Sequence, residues 1–132
     1  MKLASVVIDS NDSEALSDFY QKLLGWEKLR VDEEWIIVYD KNIKGTALTF
    51  QQIDDYERPV WPSEKEKQQQ MLHLDFYVDE ENFEHEVEHA LHCGAQQAES
   101  QFSEGWRVML DPAGHPFCMV SVPKSVIESR LP

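Results

Sequence analysis

Residues 3–25, LASVVIDSNDSEALSDFYQKLLG, hold a strand, a helix cap and a helix in one unbroken run. Val6, Val7 and Ile8 are β-branched and favour a pleated strand. Asn11-Asp12-Ser13-Glu14 follows as a polar cap with a glutamate behind it, which reads as a capping box and starts a helix. Leu16, Phe19, Tyr20, Leu23 and Leu24 then recur at i, i+3, i+4, i+7 and i+8 as one apolar stripe. Gly25 stands where a helix needs a left-handed residue to stop it. Further along, residues 26–31, 35–39 and 46–52 have strand composition. They are separated by Asp32-Glu33-Glu34 and by Lys41-Asn42-Ile43-Lys44-Gly45, both polar turn sequences. The order of elements is βαβββ.

The same order returns about 68 residues later. Residues 71–78 form the strand pattern, Asp79-Glu80-Glu81-Asn82 the cap, and Phe83, Val87, Ala90 and Leu91 the helix stripe, with Cys93-Gly94 as its stop. Residues 96–98 carry a faint strand pattern and 105–110 a clear one; 117–122 follow the Asp111-Pro112-Ala113-Gly114 turn. The expected organisation is a single α+β domain with module 1 at 3–52, a linker at 53–70, module 2 at 71–122 and a peripheral tail at 123–132. The linker holds Pro59, Pro62 and the polar run SEKEKQQQ, and among its apolar residues Val60 and Trp61 stand out.

Composition narrows the function. The chain has 132 residues, and 12 Lys plus Arg against 25 Asp plus Glu give a formal charge of −13. Such a surface repels phosphate backbones and anionic lipid, so neither nucleic acid nor membrane is an expected partner. Two cysteines, Cys93 and Cys118, lie far apart, and no basic-then-apolar leader pattern precedes them, so the expected setting is the reducing cytoplasm. No apolar run approaches the roughly 20 residues of a membrane helix.

Alternation along the strands sorts side chains onto two faces. Val6, Ile8, Leu48, Phe50, Leu72, Leu74, Phe76, Val78, Phe117 and Met119 form an apolar face that the two helices must cover. Ser5, Val7, Asp9, Thr49, Gln51, His73, Asp75, Tyr77, Cys118 and Val120 form the other, which is either a solvated sheet surface or the lining of a cleft.

Two βαβββ units, together with NDSEALSDFYQKLLGW, HLDFYV and VMLDPAGHPFCMV, resemble the vicinal oxygen chelate superfamily of glyoxalase I, bleomycin-resistance proteins, fosfomycin-resistance enzymes and extradiol dioxygenases. The likeness runs from Leu3 to about Val122, and the HLDF and DPAGHPFCMV elements are similar to its glyoxalase-like subgroup. The resemblance implies an open, cupped, eight-stranded sheet with helices on its outer face and a ligand on its concave side. It also implies homodimers.

Metal-dependent members of that superfamily carry ligands at positions that match Ser5, Thr49, His73 and Cys118. Hydroxyls are poor ligands for a transition metal, and His73 with Cys118 makes two where catalytic zinc takes about three. Asp9, Gln51 and Asp75 share the face and could substitute, but each lies one pleat, roughly 7 Å, from the matched positions, so such a site needs a different geometry. No metal cofactor is therefore expected, and His73 is the ligand if a divalent metal binds at all. His85, His89 and His92, at i, i+4 and i+7, share a helical face opposite Phe83, Val87 and Leu91, which reads as a solvated face able to capture metal adventitiously. His115 reads as a turn residue, and Cys118 as a buried, inert thiol.

The aromatic residues Trp35, Tyr39, Trp61, Tyr77 and Trp106 can wall a cleft, or Trp35 and Trp106 can pack strands while Trp61 staples the linker. The expected function is metal-independent binding of a small cationic or aromatic molecule in the cup. Asp9, Trp35, Thr49, Gln51, His73, Asp75, Tyr77, Arg107 and Cys118 are the expected contacts, and His73 is the sole candidate acid or base. The alternatives are a metal-dependent lyase, isomerase or dioxygenase of the same superfamily, and a scaffold with no small-molecule site. Whether the chain catalyses a reaction stays open at this level.

Overall fold

The computed structural model describes residues 1–43 and 45–129. Lys44 of the expected turn and residues 130–132 of the expected tail lie outside that range. The chain forms two compact units that meet between Glu57 and Arg58.

The first unit runs β1 (Ser5–Ser10), α1 (Ser13–Leu24), β2 (Glu27–Arg30), β3 (Trp35–Tyr39) and β4 (Ala47–Gln52). Its four-stranded sheet has the order β1-β4-β3-β2. β1 is parallel to β4, with Ile8 opposite Phe50, and the other pairings are antiparallel. Helix α1 covers one face of the sheet with Leu16, Phe19 and Tyr20, which are buried with Ile8, Ile36, Val38, Leu48 and Phe50. Tyr20 stacks on Phe50 with ring centroids 5.4 Å apart. Burial of each such side chain contributes about 1.5–3 kcal/mol. Lys28 and Arg30 share this helix-covered side, in register with Val38 and Ile36. Carboxylates of α1 receive them: Lys28 Nζ lies 2.5 Å from Glu14 and 2.7 Å from Asp18, and Arg30 also pairs with Glu14.

The start of α1 differs from the expected capping box. Asp12 is the cap, accepting from the Ala15 amide at 2.9 Å. Glu14 is one position too early to reach back and bonds the β2 cations instead. Gln52 of β4 completes the cap, accepting from the Ser13 amide at 3.0 Å and donating to the Asn11 carbonyl at 2.8 Å. Gly25 ends the helix at φ 65°, the left-handed conformation that the stripe's stop required.

The second unit repeats the plan with β5 (Leu74–Asp79), a 3-10 turn (Glu80–Asn82), α2 (Phe83–Cys93), β6 (Gln96–Gln97), β7 (Trp106–Leu110) and β8 (Pro116–Val122). Its sheet order is β5-β8-β7-β6, and β5 is parallel to β8. Val78, Val87, Ala90, Met109, Phe117 and Met119 are buried on the helix side. The two modules and their eight strands are thus present as two four-stranded sheets.

Two expectations need correction. β5 begins at Leu74 rather than at residue 71, and Met71 and Leu72 are exposed. Its ladder partner β8 starts only at Pro116, which has no amide hydrogen to extend the pairing. Leu91 is exposed although it lies on the expected stripe; the buried α2 residues are Val87 and Ala90. The tail contains a short helix, α3 (Lys124–Ser129), none of whose residues is buried.

The turn before β8 is built on Asp111, which is 1% exposed. Its Oδ1 accepts from the Ala113 and His115 amides, both at 2.9 Å, and its Oδ2 lies 2.9 Å from His115 Nδ1. Gly114 takes φ 89°, and the Arg58 guanidinium lies so close that a Cβ there would be 2.6 Å from Arg58 Nε. Arg58 donates to the Pro112 carbonyl at 2.8 Å, tying the segment after the first unit to this turn.

Candidate functional site

The face of the second sheet away from α2 gathers the titratable groups. Asp75 is in register with Cys118, and Cys118 with Val108; Tyr77 is in register with Val120, and Val120 with Trp106. In-register neighbours point to the same side. His73 stands just before β5, two residues from Asp75, and so falls on the same side. Its Nε2 is 3.3 Å from Asp75 Oδ1. One ligating atom each from His73, Asp75 and Cys118 fall within 4.8 Å of one another, and this is the one such His/Cys/Asp/Glu group among the described residues. Tyr77 and Trp106, 46% and 41% exposed, form an aromatic row beside it.

Cys118 is 9% exposed. Burial pushes its thiol up to about 11, and the Asp75 carboxylate adds to the rise by its charge and by accepting the thiol's hydrogen bond. At neutral pH the group is therefore a neutral donor to Asp75, consistent with the inert thiol that its place on a buried strand suggested.

Trp61 covers the middle of this face. It packs on a cluster of Ala98, Val108 and Cys118 that also includes Leu110 and Val120, and meets Phe102 edge-on at 6.0 Å. Its indole Nε1 is buried without a hydrogen-bond partner, as is Gln70 Oε1 at the far end of the same segment. The linker is thus partly folded: Val60 bridges Gln69, the Val60 amide donates to the Gln68 carbonyl at 3.1 Å, and the Trp61-Pro62 bond is cis. Of the two roles the sequence allowed Trp61, this arrangement has the staple.

The other expected contacts are distributed differently. Asp9, Gln51 and Trp35 lie side by side across the first sheet in one register row, and Thr49 belongs to the next row, 7% exposed. Ser5 and Thr49, which the resemblance matches to ligand positions, carry only hydroxyls. Arg107 is in register with Met119, which puts it on the helix-covered face of the second sheet, opposite His73, Asp75 and Cys118. There it donates to Glu84 at 2.9 Å and lies 5.4 Å over the Phe83 ring. A hollow of about 390 Å³ lined by Glu80, Glu81, Phe83, Glu84, His85 and Arg107 opens beside it. Arg107 thus stands apart from His73, Asp75 and Cys118, because a one-residue step along a strand reverses the face. On α2, His85 and His92 are exposed and His89 is half-buried beside Cys93, with Sγ 3.7 Å from its Nε2. The three do not form a ligand group among the described residues.

An imidazole, a carboxylate and a thiol are donors that suit zinc, and three protein ligands with an open fourth position is the arrangement of catalytic zinc sites. His73, Asp75 and Cys118 fit that requirement in kind and number. The thiol would have to lose its proton to a metal, as any thiolate ligand does. Asp75, one pleat from the matched position and able to join a site only with a different geometry, reaches back along its strand to His73 Nε2.

A family model described as a glyoxalase-like domain matches residues 5–120. Among curated proteins, no match is found. Solved structures with the same fold include a glyoxalase/bleomycin resistance protein/dioxygenase family enzyme from Burkholderia phytofirmans PsJN. It is 21% identical, with 92% of this chain and 99% of that chain covered and a TM-score of 0.69. The genomically encoded fosfomycin resistance protein FosX from Listeria monocytogenes, in complex with Mn(II) and dihydroxypropylphosphonic acid, is 13% identical, covering 93% and 91% of the two chains at a TM-score of 0.67. The oxidase ChaP-H2 is 20% identical, with 93% and 94% covered and a TM-score of 0.59. At these identities the solved structures share the fold.

Proposed function

The chain belongs to the glyoxalase-like domain family of the vicinal oxygen chelate superfamily, and from that premise we propose that it binds a small organic molecule on the open face of the second sheet. His73, Asp75 and Cys118 form the polar centre, and Tyr77 and Trp106 the aromatic wall. The observation that carries this reading is the convergence of three heteroatom groups within 4.8 Å beside exposed aromatic rings, since ligand sites combine apolar walls with a few convergent polar groups. A cationic or planar aromatic ligand suits the aromatic row and the Asp75 carboxylate. The neutral Cys118 thiol holds one side of Asp75, and His73 is the group able to take or give a proton. No metal is required for this binding.

A second reading is favoured by the same cluster. His73, Asp75 and Cys118 would hold a divalent metal, which when bound supplies a Lewis acid for an oxygen of the ligand. Tyr77 and Trp106 would still position the ligand. This is the metal-dependent lyase, isomerase or dioxygenase alternative.

The test pairs metal analysis with binding. Protein purified without chelator is assayed for bound metal, and titrated with a fluorescent planar aromatic cation such as 9-aminoacridine. Metal-free protein that binds the dye, with affinity lowered at least tenfold in His73→Ala and Asp75→Asn at unchanged thermal midpoint, supports the first reading. Dye affinity indifferent to both substitutions sinks it. About one metal per chain, lost in His73→Ala and kept when His85, His89 and His92 are all replaced by Ala, selects the second. Further parts of the proposal are that the protein acts in the cytoplasm and as a homodimer, the latter measured by sedimentation equilibrium.

A further inference from the structure

We propose that segment 58–70 is a displaceable strap, and that its Trp61 occupies on the open face of the second sheet the place that a flat aromatic ligand takes. The inference rests on the reading of that face as a binding surface and names the shape of guest it accepts. Trp61 packs against the cluster of Ala98, Val108 and Cys118, the last of which is the thiol of the polar centre. The slot beneath it is lined by apolar side chains and offers the indole N–H no acceptor, since Nε1 is buried without a partner. A slot made for indole would satisfy that donor; this one favours a flat ring without it.

The strap is also built to move as a piece. The Val60–Gln69 bridge and the Val60 to Gln68 bond close it on itself, so these pairings can travel with it. Residues 63–69, between the closing points, are exposed. Arg58, donating to the Pro112 carbonyl and seated against Gly114, fixes the point from which it swings. The two buried side-chain atoms without partners among the described residues, Trp61 Nε1 and Gln70 Oε1, both belong to this segment. Docked, each forgoes a bond that water supplies when the strap lifts, so the docked form is less stable than its contact area implies. Local opening of that kind precedes global unfolding.

Opening is read by alkylation of Cys118 with iodoacetamide in a Cys93→Ser background, under native conditions where labelling follows the population of the open form. Gln70→Met keeps the shape and removes the orphaned oxygen, so labelling slows about fivefold. Trp61→Ala empties the slot; labelling quickens at least tenfold, and free indole or naphthalene restores protection saturably, with naphthalene effective at the lower concentration. Urea unfolding of each variant sets the global contribution, and Gln70→Met retains a readout should Trp61→Ala fail to fold. Unchanged or faster labelling in Gln70→Met overturns the proposal, as does a Trp61→Ala protein that neither ring protects. Dye binding in His73 and Asp75 variants is scored without reference to Cys118, so failure of the binding reading and failure of the strap are separate results.

Discussion

Asp111 is the buried carboxylate of the described core, and it is held by two backbone amides and an imidazole. Asp111→Ala removes a buried acceptor from two amides and an imidazole and is expected to cost about 3 kcal/mol, measured as a fall in the urea midpoint; Asp111→Asn, which keeps an acceptor, costs less. At Gly114 two effects separate. Gly114→Ala suffers both the positive φ and the Arg58 contact, and adding Arg58→Ala relieves only the second. The pH behaviour of Cys118 has a definite sign. Its folded value lies above the unfolded one, so the folded state binds the extra proton between them. In metal-free protein the contribution is complete below about pH 9 and is lost as the pH passes about 11. The thermal midpoint should fall over that window more steeply than in Cys118→Ala. At this scale the candidate site was more legible than the turn before β8. His73 and Asp75 two apart on a strand must share a face, and that could be read directly; Asp111 looked like an ordinary turn residue, because what holds it is a tertiary network that no local pattern encodes.

Helix α1 illustrates what local patterns cannot carry at the scale of an element. The stripe Leu16, Phe19, Tyr20 and the stop at Gly25 predict its span within a residue or so, but the cap is completed by Gln52, which is distant in the chain and adjacent only through the parallel pairing of β1 with β4. Gln52→Ala should therefore destabilise the helix start by about 1 kcal/mol, as loss of a side-chain cap does, with hydrogen exchange quickening at Ser13. The late start of β5 has the same origin. Met71 and Leu72 have strand composition, yet a strand exists only where it has a partner, and Pro116 ends the partner's ladder. Helix α3 has no buried residue, hence no apolar stripe to betray it.

Across the whole molecule, the repeated βαβββ order was readable because each half buries its own core and so must carry its own complete hydrophobic pattern. The face that carries His73, Asp75 and Cys118 was not readable to the same depth: the side of the sheet on which Arg107 lies and the seat of Trp61 both follow from register and loop path. The formal charge of −13 predicts that salt favours the folded state by screening self-repulsion, so the urea midpoint should rise between low and moderate NaCl. One topological feature reaches beyond the folded state. In each sheet the strand that comes first in sequence, β1 or β5, lies outermost and pairs with the last strand of its module. Its docking must wait until the intervening hairpins exist, since closing that loop earlier loses entropy with no contacts in return. Truncation of Val78 on β5 should then speed unfolding and leave the refolding rate nearly unaltered, whereas truncation of Val108 on β7 should slow refolding. A strand that joins after the nucleus can change its exposed side chains, Asp75 and Tyr77 among them, without altering the rate at which the fold is completed.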